Sequence, residues 1–208
     1  MAATSKIGGK DDKAISRILW KEIREGDRRK FTATSNDHRS AGGGARDLRY
    51  RGGDHLSSIV EAMFPRENPV MRQRDGAPEE VIQREGDLYW IDTLLDGGRV
   101  ERNQALKLEP ATTARPGEWR ITRVHTYPGL AGKLPPHPAT GRLILLLVQT
   151  KSGRIWPFFV DEESLRWGKG WLETFRRHMV NSLDRPLRRN RAILGYFETD
   201  TGRQYTNA

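Results

Sequence analysis

Between Ser35 and Arg51 the chain concentrates side chains that can hydrogen-bond base edges or phosphate oxygens. Ser35-Asn36-Asp37-His38-Arg39-Ser40 runs into Gly42-Gly43-Gly44, and Arg46, Arg49 and Arg51 follow. Asn, Asp and Arg match donor and acceptor patterns that differ between base pairs. Guanidinium groups also grip phosphate in a two-pronged geometry that lysine cannot reproduce. Glycines without a Cβ let a backbone turn tightly or lie close against another surface. Just upstream, Arg24, Arg28, Arg29 and Lys30 add positive charge. Phe31-Thr32 and Leu48 to Tyr50 favour a pleated backbone. The stretch from Lys30 to Arg51 therefore reads as a strand, a polar loop and a second strand. The same composition also suits a plain solvated hairpin loop.

Other chemistries leave weaker traces. Gln149-Thr150-Lys151 ends a strongly apolar stretch and has the Gln-x-Lys form of metal-dependent nucleases, with Asp87 or Asp92 as the upstream carboxylate. That reading makes the chain a stand-alone nuclease using Asp92, Gln149 and Lys151. Its rival is ordinary turn chemistry, since Lys151-Ser152-Gly153-Arg154 looks like a hairpin turn. His38, His55, His125, His137 and His178 are scattered and show no metal-ligand spacing. Neither a Gly-x-Ser-x-Gly stretch nor a phosphate-binding loop is present, and the chain has no cysteine. No cofactor is expected. Arg176-Arg177, Arg185, Arg188, Arg189 and Arg191 form further basic runs. Trp156 and Trp167 offer stacking faces for unpaired bases, but the strand and helix patterns around them favour packing.

The order Thr34-Ser35-Asn36-Asp37, a short gap, then Gly42-Gly43-Gly44 resembles the recognition arm of the EcoRII N-terminal effector domain. That family is similar to the plant B3 domain, a pseudobarrel that reads double-stranded DNA with two arms in the major groove. The resemblance implies a mainly β fold with flanking helices, a DNA-binding pseudobarrel of about seven or eight strands. With Ser35 in the same DNA-binding arm, Asn36, Asp37, His38 and Arg39 are then expected to reach base edges, and Gly42, Gly43 and Gly44 to let the arm enter the groove. Arg29, Lys30, Arg46, Arg49 and Arg51 would then hold phosphates or guanine. The implied setting is restriction or anti-phage defence. With no room for the family's nuclease domain, the chain is expected to act as a specificity module, its nuclease supplied by another chain.

The whole sequence agrees with a polyanionic partner. Its 208 residues carry 36 Lys+Arg against 27 Asp+Glu, a net charge of +9. Such a balance favours nucleic acid or an anionic surface. No run approaches the ~18 apolar residues of a membrane span, and Met1 to Lys13 is too polar for a signal peptide. A cytoplasmic protein with no membrane partner is expected.

The elements that must position the arm follow from periodicity. Residues 1–10 read as a disordered lead, and 11–208 as a single domain. Ile15, Ile18, Leu19 and Ile23 fall at helical spacing after a cap at Asp11 or Asp12. Asp54 caps a short helix that Pro65 ends. Residues 66–80 read as a long loop, and Gly86-Asp87 as a break between two strands. Arg99 to Leu108, Trp119 to Tyr127, Leu143 to Gln149, Ile155 to Val160 and Ile193 to Phe197 read as strands. Pro128 to Gly141 reads as a loop, and Ser164 to Leu183 as one helix.

Overall fold

In the computed structural model, residues 14–32, 46–74, 76–110, 117–185 and 192–207 are described. The expected lead, the cap at Asp11 or Asp12, and the arm from Ser35 to Gly44 lie outside them. The chain is mainly β. Ten strands form one curled, open sheet in the order β10-β9-β1-β7-β8-β4-β5-β6-β2, with β3 hydrogen-bonded to β4 off that path.

The strongest apolar runs make the middle of this sheet. β7 (Leu143–Thr150) and β8 (Ile155–Asp161) pair antiparallel around the Lys151 turn, as their patterns predict. β1 (Ile15–Ile23) lies on the other side of β7 and is a strand, not the expected helix. The reason is burial on both faces. Leu19 and Ile23 point into the curl, while Ile18 and Trp20 point outward under a helix. A strand buried on both sides loses its alternation, and its apolar residues then mimic helical spacing. β9 (Leu194–Glu198) pairs with β1, and the short β10 (Gln204–Thr206) pairs with β9.

The second half of the sheet departs further from expectation. β3 (Arg66–Arg74) and β4 (Ala77–Thr93) form an antiparallel hairpin, so the loop expected over residues 66–80 is instead β3 and the start of β4. The hairpin's many polar and charged residues hide the strand signal, although Val81 and Gln83 are buried, and Pro69 sits on β3, an edge strand, where proline is tolerated. Gly86 does not split β4. A Cβ there would meet Phe64 Cδ1, the Met63 carbonyl and Ile155 Cδ1 at 2.8–2.9 Å, so this glycine admits a neighbouring backbone. β5 (Arg99–Pro110) returns along β4, β6 (Glu118–Ile121) pairs with β5, and β2 (Leu48–Arg51) pairs with β6.

The helices close the space. α2 (Asp54–Met63) starts one residue after its cap at Gly53 and carries Leu56, Ile59, Val60 and Met63 into the curl. It also stops the seam where the two sheet edges approach. His55 stacks on Tyr205 of β10 with ring centroids 4.7 Å apart, and a Cβ on Gly52, just after β2, would lie 3.2 Å from that tyrosine ring. α4 (Glu162–Trp167) and α5 (Glu173–Leu183) replace the single expected helix, because Gly170 adopts φ +93° between them. Leu165, Phe175, Met179 and Leu183 cover the outer face of β1, β7 and β9. Pro128 to Ala131, within the expected loop, is a short helix, α3. Among the described residues, no helix is long and apolar enough to cross a membrane.

Candidate nucleic-acid interface

Strand direction gathers several chain segments at one end of the sheet. Ile23 of β1, Leu143 of β7 and Asp161 of β8 share a register row there. β4 runs parallel to β8, so Thr93 points the same way, and β2 enters its strand from that side. The arm is rooted at this end. Its first root is α1 (Glu25–Phe31), not a strand, and β2 pairs with β6, so Phe31-Thr32 and Leu48 to Tyr50 are not the two strands of the expected hairpin. Acidic Glu25 and Asp27 in the first turn and basic Arg28 to Lys30 in the last complement the helix dipole. Phe31 is buried and packs edge-on against Phe159, with ring centroids 5.8 Å apart.

A buried ion pair fixes that root. Lys21 points into the curl beside Leu19 and Ile23, and its Nζ donates to Asp27 Oδ2 at 2.6 Å and to the Glu22 carbonyl at 3.1 Å. Burial pushes the Lys21 ammonium below its ordinary pKa, and the nearby Asp27 only partly offsets this. Burial alone would raise Asp27, but the charges and hydrogen bonds of Lys21 and Lys30 outweigh it and hold the carboxyl below the usual range. Tyr50, fully buried, has its phenol pushed up by burial and by the Asp27 charge.

This arrangement sorts the basic residues expected to touch DNA. Lys30 donates to Asp27 Oδ1 at 2.8 Å, so it braces the helix. Arg29 has a side chain 79% exposed, and its guanidinium lies 3.6 Å from Glu25. Arg49 and Arg51 share one buried carboxylate, Glu118, with Arg49 at 3.4 Å and Arg51 hydrogen-bonded through Nε. Two guanidinium groups on one carboxylate leave one positive charge unneutralised. Ser35, Asn36, Asp37, His38, Arg39, Gly42, Gly43 and Gly44 lie outside the described residues.

Arg46, at the second root, brings in residues that the sequence reading passed over. Its carbonyl accepts the Val124 N–H at 3.0 Å. The expected strand from Trp119 to Tyr127 stops at Ile121 because Arg123 adopts φ +49°, and a 3-10 turn, Val124–Thr126, follows. α1 packs against the same turn, so both arm roots meet there. The Arg123 N–H donates to Asp47 Oδ1 at 3.2 Å, and Arg120 Nη1 reaches Asp47 Oδ2 at 3.3 Å. Burial lowers the pKa of His125, and the charges of Arg46 and Arg123 lower it further. Sequence gives little warning of this corner beyond the spacing of Arg120, Arg123 and His125.

The alternative nuclease set is not assembled. Gln149 shares a register row with Ile155, which pairs with Leu88. Asp92 lies four residues further along β4, roughly 13 Å in the strand direction. It contacts Lys133 Nζ and Trp90 Nε1, both at 3.1 Å. Gln149 is buried, donating to the Met63 carbonyl and accepting from Arg17. Lys151 sits in the turn, 3.4 Å from Asp200, and Asp87 is paired with Arg66. Among the described residues, no group of three or more His, Asp or Glu is placed to hold a metal ion. The two tryptophans separate: Trp156 is buried, whereas Trp167 is 78% exposed at the end of α4. No protein-family model, curated protein or solved structure matches the chain.

Proposed function

We propose that the chain is a double-stranded DNA-binding specificity module that reads a short sequence or a modified base through the Ser35–Gly44 arm. The reading places it in a restriction or anti-phage setting, with any nuclease on another chain. One observation carries it: both roots of the polar, glycine-rich arm are held against one 3-10 turn and flanked by Arg29, Arg46 and Arg123. Anchored roots limit the entropy that an arm loses on entering a groove. The curled sheet with α2 inside agrees with the pseudobarrel that the arm motif implies. The net charge of +9 supports association with a polyanion.

The test separates base reading from general attraction. Base contacts discriminate between sequences by about 1–3 kcal/mol for each good bidentate pair, whereas phosphate contacts strengthen binding to all duplexes. Binding is measured to a duplex selected from a random pool and to a scrambled one, with circular dichroism to confirm folding. Arg39→Ala collapses the preference for the selected site and spares much of the non-specific affinity. Arg29→Ala weakens both and lowers the salt slope by about one contact. Gly43→Val, which restricts the backbone, harms binding without unfolding. Folded Arg39→Ala and Gly43→Val proteins that keep wild-type preference would exclude the arm as the reader.

A further inference from the structure

Three observations meet at the apex of the β4–β5 hairpin. The first is apolar surface that the fold does not use. Leu95 is fully exposed and Leu94 is 40% exposed, on a turn whose other residues are polar or glycine. Single leucines at a surface are ordinary. Two in succession at a hairpin apex are not, because the turn is held by other groups. The Leu94 N–H donates to the Gly98 carbonyl at 2.7 Å, and the Gly97 N–H donates to the Leu94 carbonyl at 3.0 Å. Asp96 Oδ1 accepts the Gly98 N–H at 2.8 Å, and Gly97 takes φ +81°. Serine or asparagine would suit position 95 as well as leucine does, so the turn itself does not ask for an apolar side chain.

The second is what the apex is fastened to. Asp92, just before the turn, accepts from Lys133 Nζ and from Trp90 Nε1. Gly129 of α3 presses on the same tryptophan, where a Cβ would lie 2.7 Å from the ring. Close beyond Lys133, the Pro135 carbonyl accepts Arg28 Nη1 of α1 at 2.7 Å. α1 is the first root of the Ser35–Gly44 arm. A short path of hydrogen-bonded groups therefore joins that root to the hairpin, and both are mounted at the same end of the sheet. The exposed Met71 and Ile82 lie towards the opposite end of β4. The third is charge on the strand that leaves the apex. Arg99 is exposed, with no hydrogen bond or ion pair among the described residues. Arg102 is exposed and stands 3.9 Å from Asp92. Of the carboxylates nearby, Asp92 lies between Lys133 and Arg102, Glu101 is paired with Arg154 at 3.2 Å, and Asp96 is exposed beside the turn.

We infer that Leu94 and Leu95 form a stiff wedge that enters the base stack of a bound duplex and kinks it. The inference rests on the DNA-binding reading and deepens it, because it adds deformation of the duplex to the contacts of the arm. Apolar side chains on a rigid element part a base step, and the unstacking is offset by the larger contact that a bent duplex allows. A duplex is the occupant that fits, because a duplex held by the arm lies against the end of the sheet on which the hairpin is mounted. Arg99 and Arg102 face the phosphates beside the parted step. Pyrimidine–purine steps unstack most easily, so the wedge favours sites that carry one at the kink without touching a base edge.

The test uses the full chain and a duplex selected from a random pool. Dyes on the two duplex ends report the end-to-end distance, and 2-aminopurine placed at each step in turn reports unstacking. The wild-type protein should shorten the distance and brighten 2-aminopurine at one step. The double variant Leu94→Ser/Leu95→Ser should melt at or near the wild-type temperature, since neither side chain is buried. It should bind the selected duplex about tenfold more weakly and leave it straight. Leu95→Met should keep the kink. A duplex with an unpaired base at the kinked step, where the stack is already opened, should narrow the difference between the wild-type protein and the double variant. Wild-type binding without a kink, or a kink that survives in the double variant, overturns the wedge and leaves the arm as reader. No binding to any duplex overturns the wedge and the DNA-binding reading together. A wild-type dimer in sedimentation that the double variant dissolves, with the kink unchanged, gives the apex to a second copy of the chain and overturns the inference.

Discussion

The two halves of the sheet treat their outer faces in opposite ways. In β1 and β7 both faces are apolar: Leu19, Leu145 and Leu147 meet α2 and its neighbours, while Trp20, Ile144 and Leu146 meet α5. From β5 to β2 only the inner face is apolar, through Leu106, Leu108, Ile121, Leu48 and Tyr50. The outer face there carries a charged row across the register, with Arg49 beside Arg120, Arg120 beside Glu109 and Glu109 beside Gln83. Glu109, 1% exposed, accepts from Arg72, from Gln83 at 2.7 Å and from Arg120 at 3.3 Å. The polar half keeps most of its guanidinium groups paired within the sheet.

The largest effect should come from the covered half. Leu146 is fully buried, and Leu146→Ala should cost about 2–5 kcal/mol in urea unfolding. A loss under about 1 kcal/mol would mean that α5 seats loosely and that the contrast is overdrawn. Acid should find the same half next. Burial, aided by the Arg185 charge, lowers His178 to a pKa of about 4, beside Trp20 and Phe197. The unfolded histidine binds its proton near pH 6.5. Its stabilisation is therefore complete above that pH and is lost as pH falls towards 4, on the order of 2–3 kcal/mol. His178→Phe should flatten the stability curve across that window; an unchanged slope would show that another group titrates there.

The smallest effect belongs to the polar half. Burial alone would raise the Glu109 carboxyl, but Arg72, Arg120 and Gln83 hold it below its ordinary pKa. Its contribution is present above about pH 4.3 and is lost as pH falls further. Glu109→Gln should cost about 1–2 kcal/mol at neutral pH, since its arginine partners remain partly solvated. A cost equal to that of Leu146→Ala would erase the distinction between the two halves.

The same contrast explains what was legible in the sequence. β7 and β8 were readable because a continuous apolar run bounded by a turn has few alternatives. β1 was not, because burial on both faces erased its alternation and left a helix-like pattern. β3 and the start of β4 were missed for another reason, since residues 66–80 are mostly polar, charged or proline and carry little apolar signal. At the candidate site, the basic residues flanking the arm were visible as types, but their pairing was not. Lys30 is engaged by Asp27, and Arg49 and Arg51 by Glu118, through contacts that only the fold creates. Arg123 and His125 carried no local motif. The left-handed backbone of Arg123 donates its N–H to Asp47, a residue 76 positions away.

The seam where Gly52 meets Tyr205 also bears on how the chain behaves in company. An open sheet ends in unpaired N–H and C=O rows, and each such row is a template on which another copy can add a strand. At the two ends of the strand path the borders are only four and three residues long, and one of them carries Arg49 and Arg51, while the nine-residue β3 is a separate edge that carries Pro69. The stacked His55 and Tyr205 rings close the gap with side chains instead of a ladder. A docking strand would have to part that stack and lift the start of α2 before it found enough backbone to pair with. The described sheet thus stays open at this seam without leaving a bare ladder there, and at the other edge, β3, Pro69 and the charges of Arg66, Glu67 and Arg72 discourage an added strand.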